Sequence, residues 1–283
     1  MRLLCRILHG MKCSFHSIHK GVNPMPINLS MAGDATAKAI TRAIKEDGLC
    51  LFEGLPSEKL LWLAHQIGTI VYHPDANESG ITHIYPDESK VVGVVGGAFS
   101  HKLLPLHTDG KGVSQCSATI RDGTVRSGPA DFILLQVLEV DDPVSAASTF
   151  CDGRMLYDAL SKKDPALCAF LKSPEAILKY TTQPDFTYSG PLFHETQAGV
   201  TLRFNCVESK NWPRGYLRRF CKAADELTFK VSLGAGQGFV VDNRRMLHGR
   251  GPIPWGSRRT AQHIVVYTCP DAPMGRHLPI YSL

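Results

Sequence analysis

Polar and apolar positions first fall into a regular order at Asp34. From there DATAKAITRAIKED places small and apolar residues at helical spacing, opens on an acidic cap and stops at Gly48, the start and stop signals of an amphipathic helix. GLCLFEGL (48–55) then reads as a short strand, and Ser57 is placed to cap a second helix reaching about Gln66. From Val91 onward the pattern changes. VVGVVG, FILLQVLEV, STF, VTLRFN, GFVVDN and HIVVYT are short runs rich in β-branched and aromatic residues, separated by Gly, Pro, Asn and Asp, as strands joined by turns would be. Helical patterns interrupt them near Arg154–Leu160, continuing past Pro165–Leu171, and near Gly215–Thr228.

Many short strands with helices over one face predict a β-rich α+β domain, built as a sandwich or barrel. No strand leads into G-x-G-x-x-G, so a dinucleotide-binding fold has no support. Residues 1–25 read as an N-terminal extension, and 26–283 as a single domain. The extension is acid-poor and mildly amphipathic, which fits a mitochondrial presequence, an alternative start at Met11 or a frayed end.

Composition adds exclusions. At 283 residues with 43% hydrophobic and 20% charged, the chain can bury a sizeable core. No run approaches the roughly 18 unbroken apolar residues of a membrane span, so no membrane partner is expected. The net charge of +5 is concentrated at the start: Arg2, Arg6, Lys12 and Lys20 precede the first acid, Asp34, and without them about +1 remains. The body is nearly neutral and shows no basic stripe with interleaved aromatics, which excludes an obvious nucleic-acid surface. The nine cysteines form no C-x-x-C pair, and their apolar neighbours mark them as reduced, buried small hydrophobes. A reducing compartment follows, the cytoplasm first and the mitochondrion as the alternative.

The segment that carries chemistry is Leu104-Pro-Leu-His107-Thr-Asp109-Gly110. At a strand end, residues i and i+2 point the same way, so His107 and Asp109 can reach one point. An imidazole nitrogen beside a carboxylate oxygen suits a divalent metal of intermediate hardness. Alone, H-x-D fits a surface turn as well. The second segment, GFVVDNRRMLHGR, changes this: a strand pattern ends in Asp242-Asn243, and His248 follows, roughly 140 residues after the first histidine. Two histidines and one carboxylate form a facial triad that leaves adjacent coordination positions open, as Fe(II) oxygenases require. Downstream, Arg258 and Arg259 offer a planar fork for a carboxylate.

The H-x-D, the D-N-R-R-x-x-H and the arginine ten or eleven residues later resemble the taurine dioxygenase superfamily of 2-oxoglutarate oxygenases. Within it the likeness is nearest to the carbapenem synthase and clavaminate synthase relatives, which pair L-P-x-H-x-D-G with D-N-R-R-x-x-H and carry a stretch like Ala147-Ser-Thr149-Phe-Cys-Asp152. The likeness spans about Asp34 to Tyr267. It implies a double-stranded β-helix (jelly-roll) core with flanking helices, and Fe(II), 2-oxoglutarate and O2 as cofactor and cosubstrates. It further implies His107, Asp109 and His248 as iron ligands, and Thr149 and Arg259 as contacts of the 2-oxoglutarate carboxylate. Arg258 takes that last place if a loop is one residue different, since strand alternation lets only one of the two face inward. Where relatives often carry a second arginine four positions on, this chain has His263. Asp109 speaks against a halogenase, whose relatives vacate the carboxylate position for chloride.

The same likeness implies oxidation of a C–H bond in a small polar, amino-acid-derived metabolite of specialised metabolism, by hydroxylation, desaturation, cyclisation or epimerisation. His101 lies where relatives contact substrate, and fits an exposed loop equally. Arg203 and Asn205 share a strand face, fitting either a substrate carboxylate or a structural ion pair. Two other readings use the same triad: a zinc hydrolase, and a non-catalytic cupin-like binding protein. Thr149 and Arg259 count against the first, the intact ligand set against the second.

Overall fold

The computed structural model describes residues 26–29, 34–72, 75–90, 97–109, 117–119, 125–127, 130–176, 190–197, 199–204, 212–269 and 273–275. After a two-residue strand β1 (Ile27–Asn28), helix α1 covers Asp34–Asp47 and strand β2 Leu49–Glu53. Gly48 ends α1 at φ +73°, a conformation that suits glycine. A Cβ there would also meet Arg245 Cδ at 2.9 Å. Helix α2 runs Leu60–Ile67 after a single 3-10 turn at Ser57–Lys59. Ser57 does not cap it: its hydroxyl turns to the Glu58 carboxylate, and no side chain caps the turn.

Strands β3 (Gly68–Val71), β4 (Thr82–Ile84), β5 (Leu104–His107), β6 (Ser117–Thr119), β7 (Val125–Ser127), β8 (Phe132–Val140) and β9 (Ser148–Asp152) follow. Helices α3 (Gly153–Lys163) and α4 (Pro165–Leu171) separate β9 from the hairpin β10 (Phe193–Thr196) and β11 (Gly199–Leu202). Helix α5 (Tyr216–Leu227) leads into β12 (Phe229–Val231), β13 (Gly238–Asp242), β14 (Met246–Arg250) and β15 (Arg259–Thr268). The expected strand VVGVVG (91–96) lies outside the described residues.

Two sheets face each other. The larger runs β1-β2-β13-β8-β15-β3, with β4 also on β15, and the smaller runs β12-β9-β14-β5. Helices α1 and α2 cover the outer face of the large sheet, burying Ile40, Ile44, Leu63 and Ile67 against Phe132, Leu134, Val240 and Ile264. Between the sheets, Ile133, Leu135, Val241, Val265 and Tyr267 meet Phe150, Phe239 and Met246. Helices α3, α4 and α5 cover the small sheet's outer face through Leu156, Leu167 and Phe220 against Cys151 and Leu247. This four-layer arrangement explains why FILLQVLEV is apolar almost without alternation: β8 is buried on both faces. The expected jelly roll with flanking helices is the observed fold.

The strand that bears His248 was hidden in the sequence. MLHGR is fully buried as β14, yet its alternate positions His248 and Arg250 are polar. They face the space between the sheets, where the pattern of an ordinary core strand would place apolar side chains.

Candidate active site

Three consecutive residues at the end of β5 are each held by a different part of the chain. His107 pairs directly with His248 across the β5–β14 ladder. Thr108 donates its N–H to the Phe204 carbonyl at 2.8 Å and accepts the Phe204 N–H on its hydroxyl at 3.1 Å. Asp109 is clamped by Asn243, whose carboxamide oxygen accepts the Asp109 N–H at 2.8 Å while its NH2 donates to the Asp109 carbonyl at 2.9 Å. The same NH2 also reaches the Ala130 carbonyl at 3.0 Å.

These supports bring one atom each of His107, Asp109 and His248 to within 4.8 Å of one another. His107 Nε2 lies 3.2 Å from Asp109 Oδ1, and His248 Nε2 lies 3.7 Å from Oδ2. The Nδ1 of His107 sits 2.8 Å from the Pro105 carbonyl. A carbonyl can only accept, so Nδ1 carries a proton, which turns Nε2 toward Asp109 as the nitrogen a metal would take in place of a proton. Among the described residues, His248 Nδ1 is buried without a hydrogen-bond partner. Two imidazoles and a carboxylate at this spacing fit Fe(II).

The electrostatics agree. Burial pushes the Asp109 carboxyl up, but contacts with His107, His248 and His263 outweigh it and hold it well below the usual carboxylate range. Burial likewise disfavours charge on His107, yet Asp109 and the Pro105 carbonyl raise it above the ordinary histidine value. For His248, burial and the neighbouring His107 and His263 win over Asp109, and its value is lowered. At neutral pH the site therefore offers an anionic carboxylate and at least one neutral imidazole.

The two arginines separate cleanly. Arg258 is on the outside, paired with Glu139 at 2.6 Å and Asp141 at 3.2 Å. Arg259 is buried at 4% exposure and, among the described residues, its guanidinium has no hydrogen-bond or acidic partner. Burial lowers its value to about 10, and that of nearby Arg250 to about 9, so both remain cationic at neutral pH. Arg250 spends its guanidinium on the carbonyls of Gly251, Ser100 and Lys102. Arg259 is the cation left without a counter-charge, an expensive state for a buried group.

Strand register bears on the expectation for Thr149. Phe150 pairs with His248, and Ser148 with Arg250, while Thr149 pairs with Gly249. Phe150 faces the space between the sheets, so by alternation Ser148 does too and Thr149 faces away. A Cβ built on Gly249, on the side opposite His248, would come 2.9 Å from Thr149 Oγ1. Thr149 is therefore separated from the metal ligands by the sheet, and Ser148 is the hydroxyl on their side.

Of the other expected contacts, His101 lies just before β5, its Nδ1 3.2 Å from the Ile253 carbonyl and its ring stacked on exposed Trp255 at 4.2 Å. Arg203 is half-buried beside Phe204, the residue that holds Thr108. Asn205 lies outside the described residues. Asn243 is the supporting residue whose role the sequence reading did not assign; its signal was the D-N that looked like a plain turn.

Fold and site together define a jelly roll that carries a two-histidine, one-carboxylate metal site between its sheets. The profile described as the taurine catabolism dioxygenase TauD, TfdA family matches residues 20–268, and the chain belongs to that family. It is similar to a gamma-butyrobetaine dioxygenase of Pseudomonas sp. (strain AK-1), 27% identical over 238 residues, covering 78% of this chain and 56% of the relative. The chain thus spans a little over half the length of that curated relative. Among solved structures it resembles an asparagine oxygenase in complex with Fe(II), 3-hydroxyasparagine and succinate, with TM-score 0.63, 18% identity, and 83% of this chain and 80% of that chain covered. It also resembles the non-haem iron oxygenase OrfP in complex with Fe and alpha-ketoglutaric acid, with TM-score 0.60, 17% identity, and coverage of 84% and 80%. No helix among the described residues is long and apolar enough to cross a membrane.

Proposed function

We propose that this chain couples oxidative decarboxylation of 2-oxoglutarate to oxidation of a C–H bond in a small polar, amino-acid-derived metabolite. His107, Asp109 and His248 hold the iron in this reading. Arg259 binds the far carboxylate of 2-oxoglutarate, with Ser148 supplying the hydroxyl on the same face. The observation that carries it is the Arg259 guanidinium, buried with no acidic partner among the described residues and close enough to Arg250, two residues after His248 on β14, to lower its value. A dianionic 2-oxo acid supplies both the missing counter-charge and a chelate for the metal. Neither a zinc hydrolase nor a cupin-like binding protein requires such a cation. The structural relatives named for asparagine and hydroxyarginine chemistry support a substrate of amino-acid type.

When bound, the iron and 2-oxoglutarate supply the oxidising power, consuming O2 and releasing succinate and CO2. The chain's own residues prepare the site. His107 donates its Nδ1–H to the Pro105 carbonyl, which turns Nε2 inward. Asp109 stays anionic under three imidazoles. Asn243 fixes the Asp109 backbone, and Arg259 would hold the far carboxylate of the cosubstrate. His101 and Arg203 flank the metal-bearing segment and are candidates for substrate recognition.

The test is anaerobic addition of Fe(II) and 2-oxoglutarate to the folded apo-protein. The expected result is a weak visible charge-transfer band that bleaches on admitting O2, with succinate formed. Folded protein that gives no band and does not bind 2-oxoglutarate would overturn the proposal.

A further inference from the structure

His263 stands on β15, opposite Leu135 of β8 and Thr82 of β4, with its side chain only 12% exposed. It shares the inward face of β15 with Ala261 and Val265, which pack between the sheets. An apolar residue would fit that face. Instead His263 Nε2 lies 3.0 Å from Asp109 Oδ2. The ionised carboxylate can only accept, so Nε2 donates, and a neutral imidazole suffices for this. The other oxygen, Oδ1, is the one 3.2 Å from His107 Nε2. The two oxygens of Asp109 thus differ: Oδ2 has the buried His263 donor at 3.0 Å and His248 Nε2 farther off at 3.7 Å, whereas Oδ1 has the metal-donor nitrogen of His107 at 3.2 Å.

We propose that His263 is a positioning residue for the iron site: by occupying Oδ2 it fixes the rotation of the Asp109 carboxylate and reserves Oδ1 for the metal. This rests on the reading of His107, Asp109 and His248 as metal ligands. A carboxylate tethered through one oxygen binds through the other and does not swing to chelate, which keeps coordination positions open for the cosubstrates. It also ties the two sheets together at the metal. Asn243 sets where the Asp109 backbone sits, and His263 sets which carboxylate oxygen faces the cation.

The experiment is titration of apo-protein with Co(II), followed by its visible d–d absorption and by calorimetry, for wild type, His263→Ala, His263→Phe and His263→Gln. Wild type must bind one Co(II); if it binds none, the metal-site reading itself fails and His263 is not at issue. Given wild-type binding, His263→Ala and His263→Phe are expected to weaken Co(II) by about 10-fold to 100-fold and to alter the band shape. His263→Gln, which keeps an N–H donor, is expected to recover most of the affinity. Circular dichroism of the metal-free variants shows that they are folded, and His263→Gln serves should the others fail that check. Unchanged Co(II) affinity and spectrum in folded His263→Ala, or in His263→Phe, would overturn the proposal. So would a His263→Gln variant as weak as alanine, which would make the imidazole itself a metal ligand.

Discussion

The carboxamide of Asn243 and the main chain of Asp109 exchange two hydrogen bonds across 134 residues of sequence. Asn243 closes the turn between β13 and β14, so the residue that leads into the His248 strand also holds the carboxylate ligand. Asn243→Ala leaves the Asp109 N–H and carbonyl without these partners. It is expected to cost about 1–3 kcal/mol of stability and about 10-fold to 100-fold in metal affinity. Urea unfolding and Co(II) titration read the two effects separately.

Arg258 and Arg259 are adjacent in sequence and opposite in role. Arg259→Ala is expected to raise the 2-oxoglutarate concentration for half-maximal charge-transfer signal by about 10-fold to 100-fold, the cost of a charge-assisted contact. Arg258→Ala loses only exposed ion pairs to Glu139 and Asp141, and the 2-oxoglutarate requirement should stay at the wild-type value. The same assay separates Ser148 from Thr149: Ser148→Ala is expected to raise the requirement about tenfold, and Thr149→Val to leave it unchanged.

Metal binding should weaken in acid. His107 is raised above the ordinary histidine value, so as pH falls through that range Nε2 gains a proton that competes with the cation. His248 is lowered and Asp109 well lowered, so neither competes near neutral pH. The sign is therefore one of lost affinity with falling pH, carried by one proton. Calorimetry of Co(II) binding in buffers of different ionisation enthalpy should show less than one proton released above neutrality, approaching one in mild acid. Release of two or more would contradict the assignment.

Gly249 separates His248 from Arg250, and a Cβ there would lie 2.5 Å from the Leu104 carbonyl and 2.9 Å from Thr149 Oγ1. The first is backbone and cannot turn aside. Gly249→Ala should push β5 off β14, separating His107 from His248. The expected readout is loss of Co(II) binding together with a thermal midpoint lowered by several degrees.

Much of this was legible in the sequence, for identifiable reasons. The helix α1 and its Gly48 stop rest on local signals, and strands such as β8 and β13 are long enough in apolar residues to show themselves. The H-x-D and the distant histidine stood out because metal ligation demands particular side chains in a particular order. What stayed hidden depends on pairing between distant segments. Strand β14 carries polar side chains inward, so its hydrophobic pattern is inverted. Thr149 against Ser148 is a question of register, and one residue of slip exchanges the faces. Ser57 looks like a cap, but the chain enters α2 through a 3-10 turn, which leaves it no N–H to serve. The hydrogen bond from His263 to Asp109 joins two sheets, and no spacing along the chain announces it.

Strand β5 lies at the margin of the small sheet, paired only with β14 among the described residues. A sheet margin is in general a place where a second chain can dock and begin to aggregate. A cation shared by His107 of β5 and His248 of β14 would clasp that margin shut. Iron would then guard solubility as well as chemistry, and chelated protein should scatter more light on storage than protein kept with Co(II).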